Sequence, residues 1–220
     1  MNLKQLLVIF FLAAVIVPAS AAWADDAQAP KILSLKGAVF MDEKPAFVGQ
    51  AVHDGSVVRT DADAVCEILL NDKSIIRIQG NSHATLNLGS DIKTIALKSG
   101  TIVSFIKKLA ATVAGKTGRY EIRTPAAVAG IRGTAFFVKV ESPNSTYICD
   151  CNGVVYVMDE NKGHKKVLSA KHHTAMRFLK TEKGIVVSKA KMKYHTDAEM
   201  QGLAHQVGMK IDWTVVDKKP

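Results

Sequence analysis

Between Ile32 and Phe105, runs of four to seven β-branched and aliphatic residues alternate with Gly, Asn or Asp. The runs are Ile32–Leu35, Ala38–Met41, Ser56–Arg59, Ala64–Leu70, Ser74–Ile78, Ala84–Leu88, Lys93–Leu97 and Thr101–Phe105. Gly37, Asp42, Gly55, Asn71-Asp72, Gly80-Asn81, Gly89 and Gly100 separate most of them. Runs this short and this closely punctuated leave no room for amphipathic helices. They predict many short strands joined by tight turns, the pattern of a sandwich, barrel or solenoid. Alternation within a run supports this: Ala64, Cys66, Ile68 and Leu70 fall on one face, and Val65, Glu67 and Leu69 on the other. No strict repeat period is present, so an ordinary repeat array is not supported.

The densest stretch is Thr124 to Val140, TPAAVAGIRGTAFFVKV. Thr124-Pro125 ends an extended run, because the residue before proline is pushed out of the helical region. Ala126, Ala127, Val128 and Ala129 are small, as two closely approaching backbones require. Gly130 and Gly133 bracket Ile131-Arg132 and permit positive φ on either side of one arginine. Arg132 is the one charge in an apolar surround, and its five donors are expected to satisfy backbone carbonyls. Ala135 to Val140 reads as a strand.

Through Thr124, Pro125, Gly130, Arg132, Gly133, Thr134 and Phe136 this stretch resembles the signature of the FecR domain family. Looser features of the family fit from Gly37 to Ser104, at Gly153-Val154 and at Leu168, so the resemblance covers roughly residues 32–179. It implies an exported, all-β sensory or scaffolding domain with a β-helical, solenoid-like layout and no catalytic activity. Iron-uptake members carry a cytoplasmic helical anti-sigma region and a membrane span ahead of this domain. No such pattern is read here, so the anti-sigma role is not carried over.

The start of the chain reads as a secretory leader. Lys4 precedes an unbroken apolar run of twelve residues, Leu6 to Val17, which Pro18 ends. That run is short for a permanent membrane span, and Ala22 and Ala24 supply the small residues of an A-x-A cleavage site. Residues 1–24 are therefore expected to be a signal peptide and 25–31 a linker, with the β-domain over 32–179 and a C-terminal extension over 180–220. No later segment is apolar enough to span a membrane, which predicts a periplasmic protein. Cleavage after Ala24 removes one lysine and no acid from a chain of net charge +9. The lysines are scattered, with clusters at Lys107-Lys108, Lys165-Lys166 and Lys189 to Lys193. Aromatics are few, and no stacking platform for nucleic acid is visible. The expected partner is another envelope protein or envelope component.

Chemistry is concentrated in two stretches, TYICDCNGVVYV (Thr146 to Val157) and VLSAKHHTAMRF (Val167 to Phe178). Cys149 and Cys151 share a face if their segment is extended, and His172 and His173 follow about twenty residues later. Thiolate and imidazole are the usual ligands of zinc, copper(I) or iron, so a transition metal is a candidate cofactor, and a metal- or haem-binding protein through Cys149, Cys151, His172 and His173 is the alternative function. The FecR-like resemblance also implies that Cys149, Cys151, Gly153, His172 and His173 belong together. Neighbouring histidines in a regular strand point to opposite faces, so only one would meet the cysteines unless the backbone bulges. Two other readings stay open: a disulfide, with Cys66 pairing to Cys149 or Cys151, and unligated structural cysteines. His53, His83 and His164 sit beside turn residues and are expected in solvent.

Near the C-terminus, Thr196 or Asp197 is a good N-cap and Glu199 can support it. Met200, Leu203, Ala204 and Val207 form one stripe, and Gly208 is a natural stop. A single short helix is expected there, docking through Leu203 and Val207. His195, just before the cap, is a candidate further ligand, but it is expected first to pack or hydrogen-bond locally. Gly115-Lys116-Thr117-Gly118 lacks the upstream glycine of a phosphate-binding loop, because Ala110 stands there. No nucleophile elbow, His-Glu-x-x-His or Cys-x-x-Cys is present, and the chain is expected not to be an enzyme.

Overall fold

The computed structural model describes residues 29–107, 119–131, 134–158 and 165–215. The leader, the Gly115 to Gly118 string, the Arg132-Gly133 pair and His164 lie outside the described residues, as does the side chain of Thr134.

The fold is all-β with one short helix. In chain order the strands are β1 (Lys31–Lys36), β2 (Val39–Met41), β3 (Lys44–Pro45), β4 (Ser56–Thr60), β5 (Val65–Leu69), β6 (Ile75–Ile78), β7 (His83–Asn87) and β8 (Ile92–Ile106). They continue with β9 (Arg119–Arg123), β10 (Val128–Ile131), β11 (Thr134–Ser142), β12 (Ser145–Met158), β13 (Lys165–Ala170), β14 (Thr174–Thr181) and β15 (Gly184–Ala190), and then helix α1 (Asp197–His205).

Two sheets result. The first runs β1-β5-β6-β8-β11-β12-β14-β15, and the second runs β3-β2-β4-β7-β8-β9-β10-β12-β13. β8 and β12 belong to both, giving part of their length to each sheet. β8 pairs with β7 through Ile95 opposite Leu86, then with β11 through Val103 opposite Phe137. β12 pairs with β11 and β14 as far as Asn152, then with β10 and β13 from Gly153 onward.

Both corners fall at glycines. Gly100, expected as a turn between two strands, instead sits inside one continuous strand at φ +91°, and a Cβ there would collide with Ser82. The missing side chain lets β8 bend across Ser82 without ending. Gly153 has φ +134° at the corresponding place in β12. A solenoid-like layout is not confirmed. Stacked solenoid rungs pair in parallel, whereas β8 with β9 is the sole parallel pair among the described strands. Short connections, such as those through Asn71-Asp72 and through Pro143-Asn144, reverse the chain within a few residues and so force antiparallel neighbours.

The main core lies between the sheets. Ile68, Ile76, Ile102, Phe136 and Ile148 come from the first sheet, and Val58, Leu86, Ile95, Ile122 and Val155 from the second. Each such side chain contributes roughly 1.5–3 kcal/mol by leaving water. Ala64, Cys66, Ile68 and Leu70 all join this core, as their alternation predicts.

The other face of the first sheet carries a smaller core. Ile75, Val103, Phe105, Ala135, Phe137, Tyr147, Cys149, Cys151 and Ala175 face outward there, and α1 covers them with Met200, Leu203 and Ala204. The helix begins on a full capping box. The Thr196 hydroxyl accepts from the Glu199 backbone N–H at 3.2 Å, and the Glu199 carboxylate accepts from the Thr196 N–H at 2.9 Å. No helix among the described residues is long and apolar enough to cross a membrane.

Candidate metal centre

The described part of the signature stretch closes a turn and fills the core. The Thr124 N–H donates to the Ala127 carbonyl at 2.9 Å, and its hydroxyl bonds to Ala127 and accepts from Thr146, closing the turn between β9 and β10. Pro125 occupies that turn, and Ala126, Ala127 and Ala129 are buried. Gly130 does not take positive φ. It pairs with Glu121 and Tyr156 in the middle of β10, where extended backbone is required. Phe136 is fully buried in the main core.

The chemistry lies on the outer face of the first sheet. Tyr147, Cys149 and Cys151 alternate along β12 toward α1, while Thr146, Ile148 and Asp150 turn the other way. β12 is an interior strand here, held by β11 on one side and β14 on the other, with Cys149 opposite both Phe137 and Ala175. The two sulfurs are therefore fixed by the sheet register.

The histidine pair is not on a strand. Lys171, His172 and His173 form the turn between β13 and β14, and the His173 N–H donates to the Cys151 carbonyl at 3.1 Å. His173 has φ +47°, a left-handed conformation that costs a non-glycine residue about 1–3 kcal/mol. That twist sends its ring onto the cysteines. His172 points away, half-exposed, with its Nε2 2.8 Å from the Asp197 carboxylate. Of the two candidates, His173 reaches the cysteines and His172 does not.

The fourth member is His195, which was expected to make only local contacts. It is buried, stacked on Phe137 at 4.5 Å between ring centres, and its Nε2 lies 3.2 Å from Cys151 Sγ. The preceding Tyr194 takes φ +75°, and Tyr147 holds this segment by accepting from the Lys193 N–H at 3.0 Å and donating to the Lys191 carbonyl at 3.2 Å. A histidine directly ahead of a capping box was the available signal. A helix start is a fixed point, so a side chain there is delivered to one place.

One donor atom from each of Cys149, Cys151, His173 and His195 lies within 4.8 Å of all the others. Cys149 Sγ to His173 Nδ1 is 3.5 Å, His173 Nδ1 to His195 Nε2 is 3.3 Å, and Cys151 Sγ to His195 Nε2 is 3.2 Å. A tetrahedron built on Zn–S and Zn–N bonds has S–N edges of about 3.5–3.6 Å and an N–N edge of about 3.3–3.4 Å. Two of the three distances fall on those edges and the third is a few tenths short.

Each imidazole is aimed by its other nitrogen. His173 Nε2 donates to the Asp197 carboxylate at 2.6 Å, and His195 Nδ1 donates to the Lys193 carbonyl at 2.9 Å. In the neutral tautomer that makes these outward bonds, each inward nitrogen would present a lone pair, the arrangement found around metal-bound histidines. Trp213 stacks over His173 at 5.4 Å and closes the site from the C-terminal tail. The Asn152 side-chain amide donates toward the carbonyls of Lys171, Asp212 and Val215, holding that tail in place.

Electrostatics separate the thiols. Hydrogen bonding from Cys151 brings Cys149 down to about 4 against the opposing effect of burial, with His173 and His195 adding to the pull. Burial, then the neighbouring Cys149 thiolate, pushes Cys151 well up. The pair thus shares one proton, as two like charges this close must. Burial works to lower His173, but Cys149 and Asp197 outweigh it and raise it. All three cysteines are free thiols. Cys66 lies in the main core on the opposite face of the sheet from Cys149 and Cys151, and burial pushes it up to about 12. His53 is exposed and His83 half-buried, both away from this pocket.

Residues 56–155, from β4 into β12, match the model of the FecR protein family. The chain carries a FecR domain. Two crystal structures of a candidate anti-sigma factor from Parabacteroides distasonis, at 1.65 and 2.50 Å resolution, are similar at 14% identity and a TM-score of 0.49. The similarity covers 61% of this chain and 60% of that one. No curated protein matches the chain. The FecR match includes Cys149 and Cys151 and stops short of His173, His195 and Asp197. The pocket is therefore assembled from the FecR domain and from the segments that follow it.

Proposed function

We propose that this chain is an exported, non-catalytic FecR-type sensory or scaffolding module of the cell envelope, with a transition metal ion held by Cys149, Cys151, His173 and His195. The observation that carries the metal reading is that one donor atom from each of the four residues lies within 4.8 Å of the others, with three of the separations at or near the edges of a tetrahedral zinc shell. Four protein donors fill a tetrahedral shell, as in structural sites, and leave no position for a reacting water. That supports a binding role over catalysis. The leader read from Lys4 to Ala24 supports export, and β15, paired on one side by β14, offers an edge for strand addition by an envelope partner.

The test is elemental analysis of the protein purified from its own compartment, followed by metal titration of the stripped protein. One equivalent of zinc or copper is expected. Cys149→Ser and His173→Ala are expected to lose it, and a wild type that binds no tighter than both variants would overturn the reading. N-terminal sequencing of the same sample is expected to begin at Asp25.

A further inference from the structure

The ligands come from two separable parts of the molecule. Cys149 and Cys151 sit on an interior strand, and His173 sits in the turn that leads to the next strand. His195 belongs to the segment that leads into α1, and Asp197, which aims His173, is the first residue of α1 itself. We infer that the bound ion is zinc(II) and that it acts as a fastener, tying residues 191–215 to the outer face of the FecR-containing sheet, so that metal supply sets whether α1 is docked. This rests on the metal reading of the pocket and adds what the metal controls.

Three observations carry it. First, α1 itself has little to hold it, the flanking bonds of Tyr147 to Lys191 and Lys193 and of Asn152 to Asp212 and Val215 aside. It is nine residues long, below the roughly 12–15 residues at which an isolated helix becomes even marginal. It buries only Met200, Leu203 and Ala204, with Ile211 following. Its far end has one polar tether to the sheet beneath it, from the Gln206 amide to the Glu67 carboxylate at 3.0 Å.

Second, both segments that deliver a histidine carry a non-glycine residue in the left-handed region, His173 at φ +47° and Tyr194 at φ +75°. Such conformations persist where surrounding contacts hold them. Third, four electron-rich atoms converge on one buried point. A cation at that point would be bonded at once by the β12 cysteines, the β13–β14 turn and the segment before α1, and so would join the two parts; the empty pocket lacks that link.

Charge selects the ion. Two thiolates and two neutral imidazoles around a divalent ion sum to zero, which suits a site whose sulfurs are fully buried. A monovalent copper ion in the same shell leaves a net negative charge in the same place.

The experiment is hydrogen exchange, read by mass spectrometry, on the full chain with zinc, with copper(I) under reducing conditions, and with a chelator. Bound metal is measured on the same samples. Zinc is expected to bind one to one and to slow exchange of the α1 amides by at least about tenfold relative to the chelated protein. The central β8 and β11 amides should change little. His195→Ala should lose the zinc-dependent slowing while keeping the β8 and β11 protection of the wild type. Gln206→Ala, outside the pocket, should keep it.

Zinc bound at one equivalent with unchanged α1 exchange overturns the fastener and leaves the metal reading standing. Retained slowing in His195→Ala also overturns it. Slowing by copper(I) and not by zinc overturns the choice of ion. Absence of stoichiometric binding by either ion overturns the metal reading itself.

Discussion

The two faces of the first sheet place the same residue types in opposite circumstances. On the inner face, Cys66 lies among Ile68, Ile78 and Ile102, closed over by a second sheet, and burial drives its thiol up to about 12. On the outer face, Cys149 is as buried as Cys66, yet neighbouring donors bring it down to about 4. Burial alone makes a thiol inert, whereas burial beside another thiol and two imidazoles makes a candidate ligand. The covers differ too. Strands of a sheet shut the inner face, while one nine-residue helix and a tail shut the outer one.

The sharpest way to break this contrast is to exchange the cysteines' fates. The double variant Cys149→Ser, Cys151→Ser is expected to abolish stoichiometric zinc binding. Cys66→Ala should leave affinity within about twofold and cost on the order of 1 kcal/mol in urea unfolding through the lost sulfur contacts. If both sets of variants bound zinc equally, the two faces would be equivalent.

Packing should rank the same way. Ile148→Ala, which opens a cavity between the sheets, is expected to cost about 3–5 kcal/mol. Leu203→Ala under α1 is expected to cost about 2–3 kcal/mol, because the helix can settle into the space. Equilibrium unfolding in saturating zinc checks both, and a larger loss for Leu203→Ala would reverse the ordering.

Asp197→Asn keeps all four donors and changes what aims His173. A loss of about 10–100-fold in zinc affinity is expected from competition titration. Loss comparable to His173→Ala would mean that Asp197 is itself a ligand.

The smallest effect is electrostatic. Glu141 is held down at about 2, chiefly by Arg177 at 2.6 and 2.8 Å, with Tyr194 and Ser145 assisting against burial. A carboxylate held low stabilises the fold above its ordinary range near 4.5, and this contribution fades as pH falls toward about 2. Arg177 is partly exposed, so screening limits the ion pair to about 1 kcal/mol. Wild type should exceed Glu141→Gln by that amount in urea unfolding at pH 6, and by less at pH 3. A constant difference would mean the loss is steric.

Much of the first sheet was legible because its inner positions alternate cleanly, as Ala64 to Leu70 does. The helix was legible because Thr196 and Glu199 form a cap that depends on four consecutive residues. Gly100 was misread because glycine marks both chain reversals and close approaches, and Ser82, which distinguishes them, lies far from it in sequence. The solenoid-like expectation came from the family resemblance, and local alternation says nothing about whether neighbours run parallel. In the pocket, the cysteine spacing was readable because a strand fixes it. His172 and His173 could not be ranked without the left-handed twist at His173. His195 lies 44 residues beyond Cys151, and its approach depends on how a helix packs rather than on any periodicity.

β12 has a further consequence. It carries both sulfurs, and neighbouring strands hold it on both sides before the bend at Gly153, so that half of the pocket exists before the C-terminal segment arrives. An incoming ion would meet a rigid two-point landing pad first and recruit its remaining partners afterward. Capture speed would then belong to the cysteines, and residence time to the histidines.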